Sequence, residues 1–188
     1  MKVRESGMPE MIYWESLFDI ELIFDKMQIS DNIFNMVEFG CGYGTFTIPA
    51  AQKISGNLLA LDIDDDYLKI ADERVKKLNL KNIRFLNRDF IQEGTGQNDN
   101  TVDYVMMFNI LHHANPDELL LETKRILKVN GKIGVIHWNY DETTPRGPSM
   151  SIRLKPELVK KVLTDFDFKL IGDIYDLPPY HYGFIGYK

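Results

Sequence analysis

Five short apolar runs, NMVEF, NLLALDI, IRFLNRDF, VDYVMMFNI and KIGVIHW, mostly alternate with helical patterns such as DDYLKIADERVKKLNL and NPDELLLETKRILKVNG. Runs of strand length separated by patterns of helix length leave few options. Each strand has to be followed by a helical crossover, so the chain is expected to build repeated βαβ units around a mainly parallel sheet, an α/β fold. The punctuation agrees: Asn115 or Pro116 can open a helix ending near Lys128, and Asn130-Gly131 is a suitable stop before the next strand. The polar stretches Glu93 to Thr101 and Asp141 to Ser149 read as loops that follow strands. A last helix, KPELVKKVLTDF, leads to FKLIGDIYDL and YHYGFIGY, joined at Pro178-Pro179. So short a connection implies antiparallel pairing. Upstream, Ile12, Leu17, Ile20, Phe24 and Met27 recur at helical spacing, which predicts one half-buried helix over MIYWESLFDIELIFDKM.

A chain of 188 residues suffices for one well-buried core and is short for two, so a single domain is expected over 1–188. It has no apolar run of about 18 residues, and MKVRESGMPE has no apolar signal core, so no membrane partner and a cytoplasmic location are expected. The single cysteine, Cys41, cannot close an intramolecular disulfide or build a thiolate metal site, and no metal is expected. A net charge of −6 disfavours nucleic acid as a partner.

The stretch VEFGCGYGTF carries the first chemical signal. A strand that runs into a tight glycine turn and then a helix offers backbone N–H groups to a ligand that can approach closely. A dinucleotide fingerprint, G-x-G-x-x-G/A, would need glycine or alanine at position 45, where Thr45 stands. Gly40, Gly42 and Gly44 alternate instead, and Glu38 lies two residues before the first of them. An acid there would repel a pyrophosphate and would suit a ligand with a nearby positive charge, such as an ammonium or a sulfonium. About 20 residues on, Asp62 closes LLALD, where a carboxylate can accept from both hydroxyls of a ribose. Asp64 is better placed as a helix N-cap, with Asp65 and Asp66 favouring the helix's positive end. Ile63 offers an apolar face to a base.

Taken in order, VEFGCGYG, ALDID, NRDF, VDYVMMFNILHH and ILKVNGKIGVIHW resemble the class I S-adenosylmethionine-dependent methyltransferases, in the group of small methyltransferases (type 11) related to quinone-biosynthesis enzymes. The resemblance implies a Rossmann-like sheet of seven strands, mainly parallel with a C-terminal antiparallel strand, and helices on both faces. It implies S-adenosyl-L-methionine as cofactor. It further implies an arm and cap helix over 1–30, a cofactor-binding core over 31–138, and a substrate-side loop, last helix and β-hairpin over 139–188. By the same resemblance Glu38 lies near the methionine moiety and Gly40, Cys41 and Gly42 form the turn beneath it. Asp62 binds the ribose, Ile63 packs on adenine, Asp89 accepts from the adenine amino group, Phe90 borders the base, and Asn109 stands beside the reactive methyl.

The resulting expectation is methyl transfer to a small-molecule acceptor at carbon, oxygen or nitrogen, by a monomer or homodimer. Rivals are a catalytically silent S-adenosylmethionine-binding sensor or scaffold and, less favoured, a nicotinamide-dependent oxidoreductase. His112 and His113 are candidates for a general base, since imidazole exchanges protons near neutral pH; packing or solvation accounts for them as simply. Tyr13 is a third catalytic candidate. Tyr13 and Trp14 can be core-covering or can line the pocket. His137, Tyr140, Arg146 and Arg153 lie at or beyond the end of the fifth strand, the edge at which open α/β sheets bind ligands. Either arginine could grip an anionic substrate, and solvation is an equal account.

Overall fold

The structure, a computed structural model, describes residues 8–112 and 116–188; His113, Asn115 and the start of the N-terminal arm lie outside the described residues. Seven strands form one sheet: β1 (Asn35–Phe39), β2 (Asn57–Asp62), β3 (Ile83–Asn87), β4 (Val102–Phe108), β5 (Leu127–Trp138), β6 (Lys169–Leu177) and β7 (His181–Tyr187). Their order is β3-β2-β1-β4-β5-β7-β6, with β7 antiparallel to both β5 and β6 and the other pairs parallel. The Rossmann-like sheet with an antiparallel ending is therefore present. The order reverses between β1 and β4, and an open α/β sheet has its ligand crevice at the carboxyl ends flanking such a reversal.

Seven helices accompany it among the described residues: α1 (Met11–Glu15), α2 (Ile20–Lys26), α3 (Thr47–Lys53), α4 (Asp65–Lys77), α5 (Phe90–Glu93), α6 (Pro116–Ile126) and α7 (Pro156–Asp165). Alternation along the strands explains why they cover both faces. In β4, Tyr104, Met106 and Phe108 point into a core shared with α2 and α3, while Val105 and Met107 point into a second core shared with α6 and α7. Asp64 caps α4 by accepting from the Asp66 amide at 3.0 Å, and Asp65 and Asp66 sit against the positive helix end.

Two expectations are corrected. The upstream segment is two short helices, because the Asp19 carboxylate accepts from the Leu22 amide and starts a new helix after the turn at Ser16. The helical spacing of Ile20, Phe24 and Met27 belongs to α2 and its C-cap, and Ile12 is 71% exposed. The helix expected to reach Lys128 stops at Ile126, since fully buried Leu127 already pairs with Val102. The register then jumps to Tyr104 opposite Lys132, so Asn130-Gly131 forms an excursion inside β5 with Asn130 at φ 63.

Candidate active site at the glycine turn

Gly40, Gly42 and Gly44 all have positive φ, which is why side-chain-bearing residues fit this turn poorly. The Gly40 and Cys41 amides both donate to the Leu61 carbonyl, at 2.8 and 3.0 Å, which lashes the turn to the end of β2. This brings Asp62 beneath it: Oδ2 accepts from the Gly42 amide at 2.8 Å and Oδ1 from the Asp64 amide at 3.0 Å. Burial raises the Asp62 pKa while these amides oppose it. Each oxygen keeps further lone-pair capacity, as a carboxylate that is to meet two ribose hydroxyls requires. Gly42 marks a close approach: a Cβ there would stand 2.8 Å from Met8 Sδ and nearer still to its methyl.

Glu38 is 2% exposed, on the same face of β1 as Met36, and accepts a hydrogen bond from the Thr47 hydroxyl of α3. Desolvation pushes its carboxyl up to about 8; the Thr47 bond pulls the other way and the Asp62 charge adds to the rise. Burial and the same two carboxylates push the Cys41 thiol well above its ordinary value. A buried acid held neutral in this way is primed to ionise when a cation arrives beside it.

Asn109 follows β4 at φ 57, an uncommon conformation for a residue other than glycine, and its amide donates to the Ile136 carbonyl at 2.9 Å. Its side-chain oxygen and nitrogen are buried and have no hydrogen-bond partner among the described residues. Thr45 Oγ1, on the turn, is in the same state. Buried polar groups are rarely left so, which makes these two candidates for contact with a ligand. The glycine cradle, the Asp62 carboxylate and these orphaned groups fit S-adenosylmethionine.

The residues singled out from sequence divide. Glu38, Gly40, Cys41, Gly42 and Asp62 converge, with Ile63 next in the chain. Asp89 caps α5, its Oδ1 accepting from the Ile91 and Gln92 amides. The Phe90 ring, at the start of α5, turns into the core, edge-on to Phe39 at 5.1 Å. Trp14 points inward, 5.0 Å from Phe18 and 6.1 Å from Trp138, whereas Tyr13 is 42% exposed. His112 lies edge-on to His137 at 5.5 Å. His137 is fully buried, and burial, with His112 next in weight, holds its pKa down to about 3. Sequence reasoning passed over His181, also fully buried, and Ile110, whose side chain comes within 2.6 Å of a Cβ built on Gly40.

A family model described as a methyltransferase domain matches residues 36–131, the span that contains the turn, Asp62 and Asn109. The chain belongs to the methyltransferase-domain family. Among curated relatives, a demethylmenaquinone methyltransferase from Lactobacillus johnsonii is 29% identical over 153 residues, covering 79% of this chain and 59% of that protein, so the chain spans less than two thirds of its length. Among solved structures, an S-adenosylmethionine-dependent methyltransferase from Aquifex aeolicus superposes with a TM-score of 0.82 at 24% identity, covering 95% of this chain and 93% of that one. A geranyl diphosphate C-methyltransferase from Streptomyces coelicolor, solved with S-adenosyl-L-homocysteine, gives 0.73 at 14% identity and covers 99% and 89%.

In this methyltransferase-domain protein the loop after β5 is organised by Arg153. Its Nε and Nη2 donate to the Pro148 carbonyl at 3.1 and 2.9 Å, and Nη1 to the carbonyls of Asn139 and Asp141 and the Thr144 hydroxyl at 3.1, 2.7 and 2.6 Å. The guanidinium is turned inward, so its donors serve the loop and not an outside anion. Arg146 and Tyr140 are exposed, and Lys155 lies over the Tyr140 ring at 4.8 Å. Arg153→Ala should leave several carbonyls unpaired and destabilise the protein by about 3 kcal/mol in denaturant unfolding. A loss under about 0.5 kcal/mol, typical of surface sites, would contradict this role.

Proposed function

We propose that the protein transfers a methyl group from S-adenosylmethionine to a small-molecule acceptor. The observation that carries the reading is the joint geometry of Gly42 and Asp62, a bare backbone cradle with a buried carboxylate held beneath it by two amides. When bound, S-adenosylmethionine supplies a methyl already activated on a sulfonium, which a carbon, oxygen or nitrogen nucleophile displaces in line to leave S-adenosylhomocysteine. Because the donor is activated, the protein's own task is alignment and exclusion of water.

Asp62 would hold the ribose hydroxyls and Glu38 would meet the positive charge of the methionyl part. The Asn109 amide would orient whichever polar group lies next to it. The N-terminal segment would cap the site, a role supported by its ties to the glycine turn and α4: the Tyr43 hydroxyl donates to the Pro9 carbonyl at 3.1 Å, and Arg74 ties Glu15 at 2.6 Å and the Tyr43 carbonyl at 2.7 Å. His112 stays a base candidate by position, and the chemistry does not demand one. Among the described residues no helix is long and apolar enough to cross a membrane, which suits an acceptor delivered from solution. A cytoplasmic monomer or homodimer goes with this proposal.

Calorimetric titration with S-adenosylhomocysteine and, separately, NADH tests it. Micromolar binding of the first alone is expected, and Asp62→Ala should weaken it at least about tenfold by removing a charged hydrogen-bond acceptor. Preference for NADH, or an unaffected Asp62→Ala, would overturn the reading.

A further inference from the structure

Met8 reaches the glycine turn from the N-terminal segment. A Cβ built on Gly42 would stand 2.8 Å from its Sδ and nearer still to its methyl, so the thioether rests directly on the bare Cα of the turn. The amide of that same glycine donates to Asp62 Oδ2 at 2.8 Å, so a ribose bound to Asp62 claims the same space. Ile110 covers Gly40 in a comparable way, its Cδ1 2.6 Å from a Cβ built there, but Ile110 packs against the core that β4 shares with α6 and α7 and is a fixed wall. Met8 comes from outside the sheet.

The segment that carries it is tied to the turn at two points. The Tyr43 hydroxyl holds the Pro9 carbonyl, and Arg74 of α4 holds both Glu15 at the end of α1 and the Tyr43 carbonyl. Between these ties α1 buries none of its residues, and Ile12 and Tyr13 are exposed. A segment with so few buried contacts belongs to the low-stability end of a fold. Pro9 restricts the backbone of Met8 to extended conformations, whereas the methionine side chain turns about three bonds. The backbone can therefore stay lashed to the turn while the thioether swings out.

We propose that Met8 is an intramolecular plug: its side chain takes the cofactor's place on Gly42, and S-adenosylmethionine binds only when that side chain has swung away. This rests on the cofactor reading above and adds to it how access to the site is set. A methionine suits the part, because its flexible thioether fills an irregular gap over backbone and makes no strong hydrogen bond that a ligand has to break. The apparent affinity is then the intrinsic affinity reduced by the fraction of molecules in which Met8 is withdrawn. By linkage, bound cofactor releases Met8 to the same extent that Met8 opposes the cofactor.

The parent, Met8→Ala and Met8→Leu are titrated calorimetrically with S-adenosylhomocysteine and melted with and without it. We expect Met8→Ala to bind about tenfold more tightly than the parent, since the competing side chain is gone. Its melting temperature without ligand should fall by about 3–5 °C, because the packing that opposes the ligand is the packing lost. Met8→Leu refills the same space and should bind within about twofold of the parent. Labelling the eight methionines with a 13C methyl gives a direct view, the Met8 signal being the one missing from Met8→Ala. On addition of S-adenosylhomocysteine it should sharpen and move to the position of a solvated methionine. A side chain that merely covers bound cofactor behaves in the opposite way: its removal weakens binding and its methyl stays packed in the complex. Unchanged or weaker binding by Met8→Ala, an unaltered melting temperature without ligand, or a Met8 methyl still packed in the complex overturns the proposal. If neither the parent nor Met8→Ala binds S-adenosylhomocysteine, the cofactor reading falls and the plug with it; binding by the parent that Met8→Ala does not improve defeats the plug alone.

Discussion

Glu38→Gln is expected to stabilise the ligand-free protein at alkaline pH while crippling its response to a cationic ligand. The Glu38 carboxyl has a folded-state pKa of about 8 against an ordinary value of 4.5, chiefly from burial. A group whose pKa is raised on folding holds its proton more tightly in the folded state. Its contribution is therefore fully present below about pH 4.5 and is lost as pH climbs through about 8. The difference corresponds to on the order of 5 kcal/mol, at 1.36 kcal/mol per unit. Glutamine keeps the acceptor for the Thr47 hydroxyl and never ionises, so the alkaline decline should flatten and the melting temperature at pH 8.5 should rise by roughly 10 °C. The acid side should not change. His137 and His181 have pKa values depressed to about 3, so their contribution is present above pH 6.5 and is lost as pH falls toward 3 in parent and variant alike. Thermal melts between pH 4 and 9 check this; superimposable alkaline arms would rule out a neutral buried Glu38. Ligand binding gives a second reading. A cation beside Glu38 should drive its proton off, and titrations at pH 7 in buffers of different ionisation enthalpy should detect up to about one proton released by the parent and none by the variant. Release with S-adenosylmethionine but not with S-adenosylhomocysteine would assign the contact to the sulfonium; release with both would assign it to the ammonium.

The sheet and the half of the site built on backbone were legible because local chemistry dictates them. NMVEF and VDYVMMF carry apolar residues on both faces, as buried central strands do, and a glycine turn with Asp62 one strand away meets its partner through the neighbouring β1–β2 pairing. What was not legible depends on long-range pairing. His181 is one residue of YHYGFIGY until β7 runs antiparallel to β5 and sets it opposite Trp138. Phe18 looks like a turn residue of one amphipathic helix until Asp19 starts the next. Arg153 resembles a solvent-facing anion site, and only closure of the 139–153 loop shows that the loop's own carbonyls consume its donors. The Asn130-Gly131 pair carries a stop signal that the buried pairing of Leu127 overrides. In each case the deciding contact joins residues brought together by tertiary closure or depends on a capping bond, neither of which periodicity registers.

Gly42→Val should abolish cofactor binding with modest damage to the fold. At φ 52 a β-branched residue is strained by about 1–2 kcal/mol, and a domain of this size would melt a few degrees lower. Binding has more to lose. The Gly42 amide anchors Asp62, and the space above Gly42 is already crowded by Met8, whose Sδ would lie 2.8 Å from a Cβ at that position. The isopropyl group would occupy the surface that the ligand must reach, so affinity for S-adenosylhomocysteine should fall more than about a hundredfold by calorimetry, beyond what backbone strain costs. Alanine separates the two causes, because its single methyl brings the φ penalty with little volume. Met8 separates them further: its flexible end can retreat, so Met8→Ala should recover part of the affinity lost in Gly42→Ala and none of that lost in Gly42→Val. If Gly42→Val bound like the parent, the cradle would lie elsewhere. If Met8→Ala rescued the valine variant, the obstruction would come from the N-terminal segment pressing down on the turn, and the loss would be one of access and not of fit.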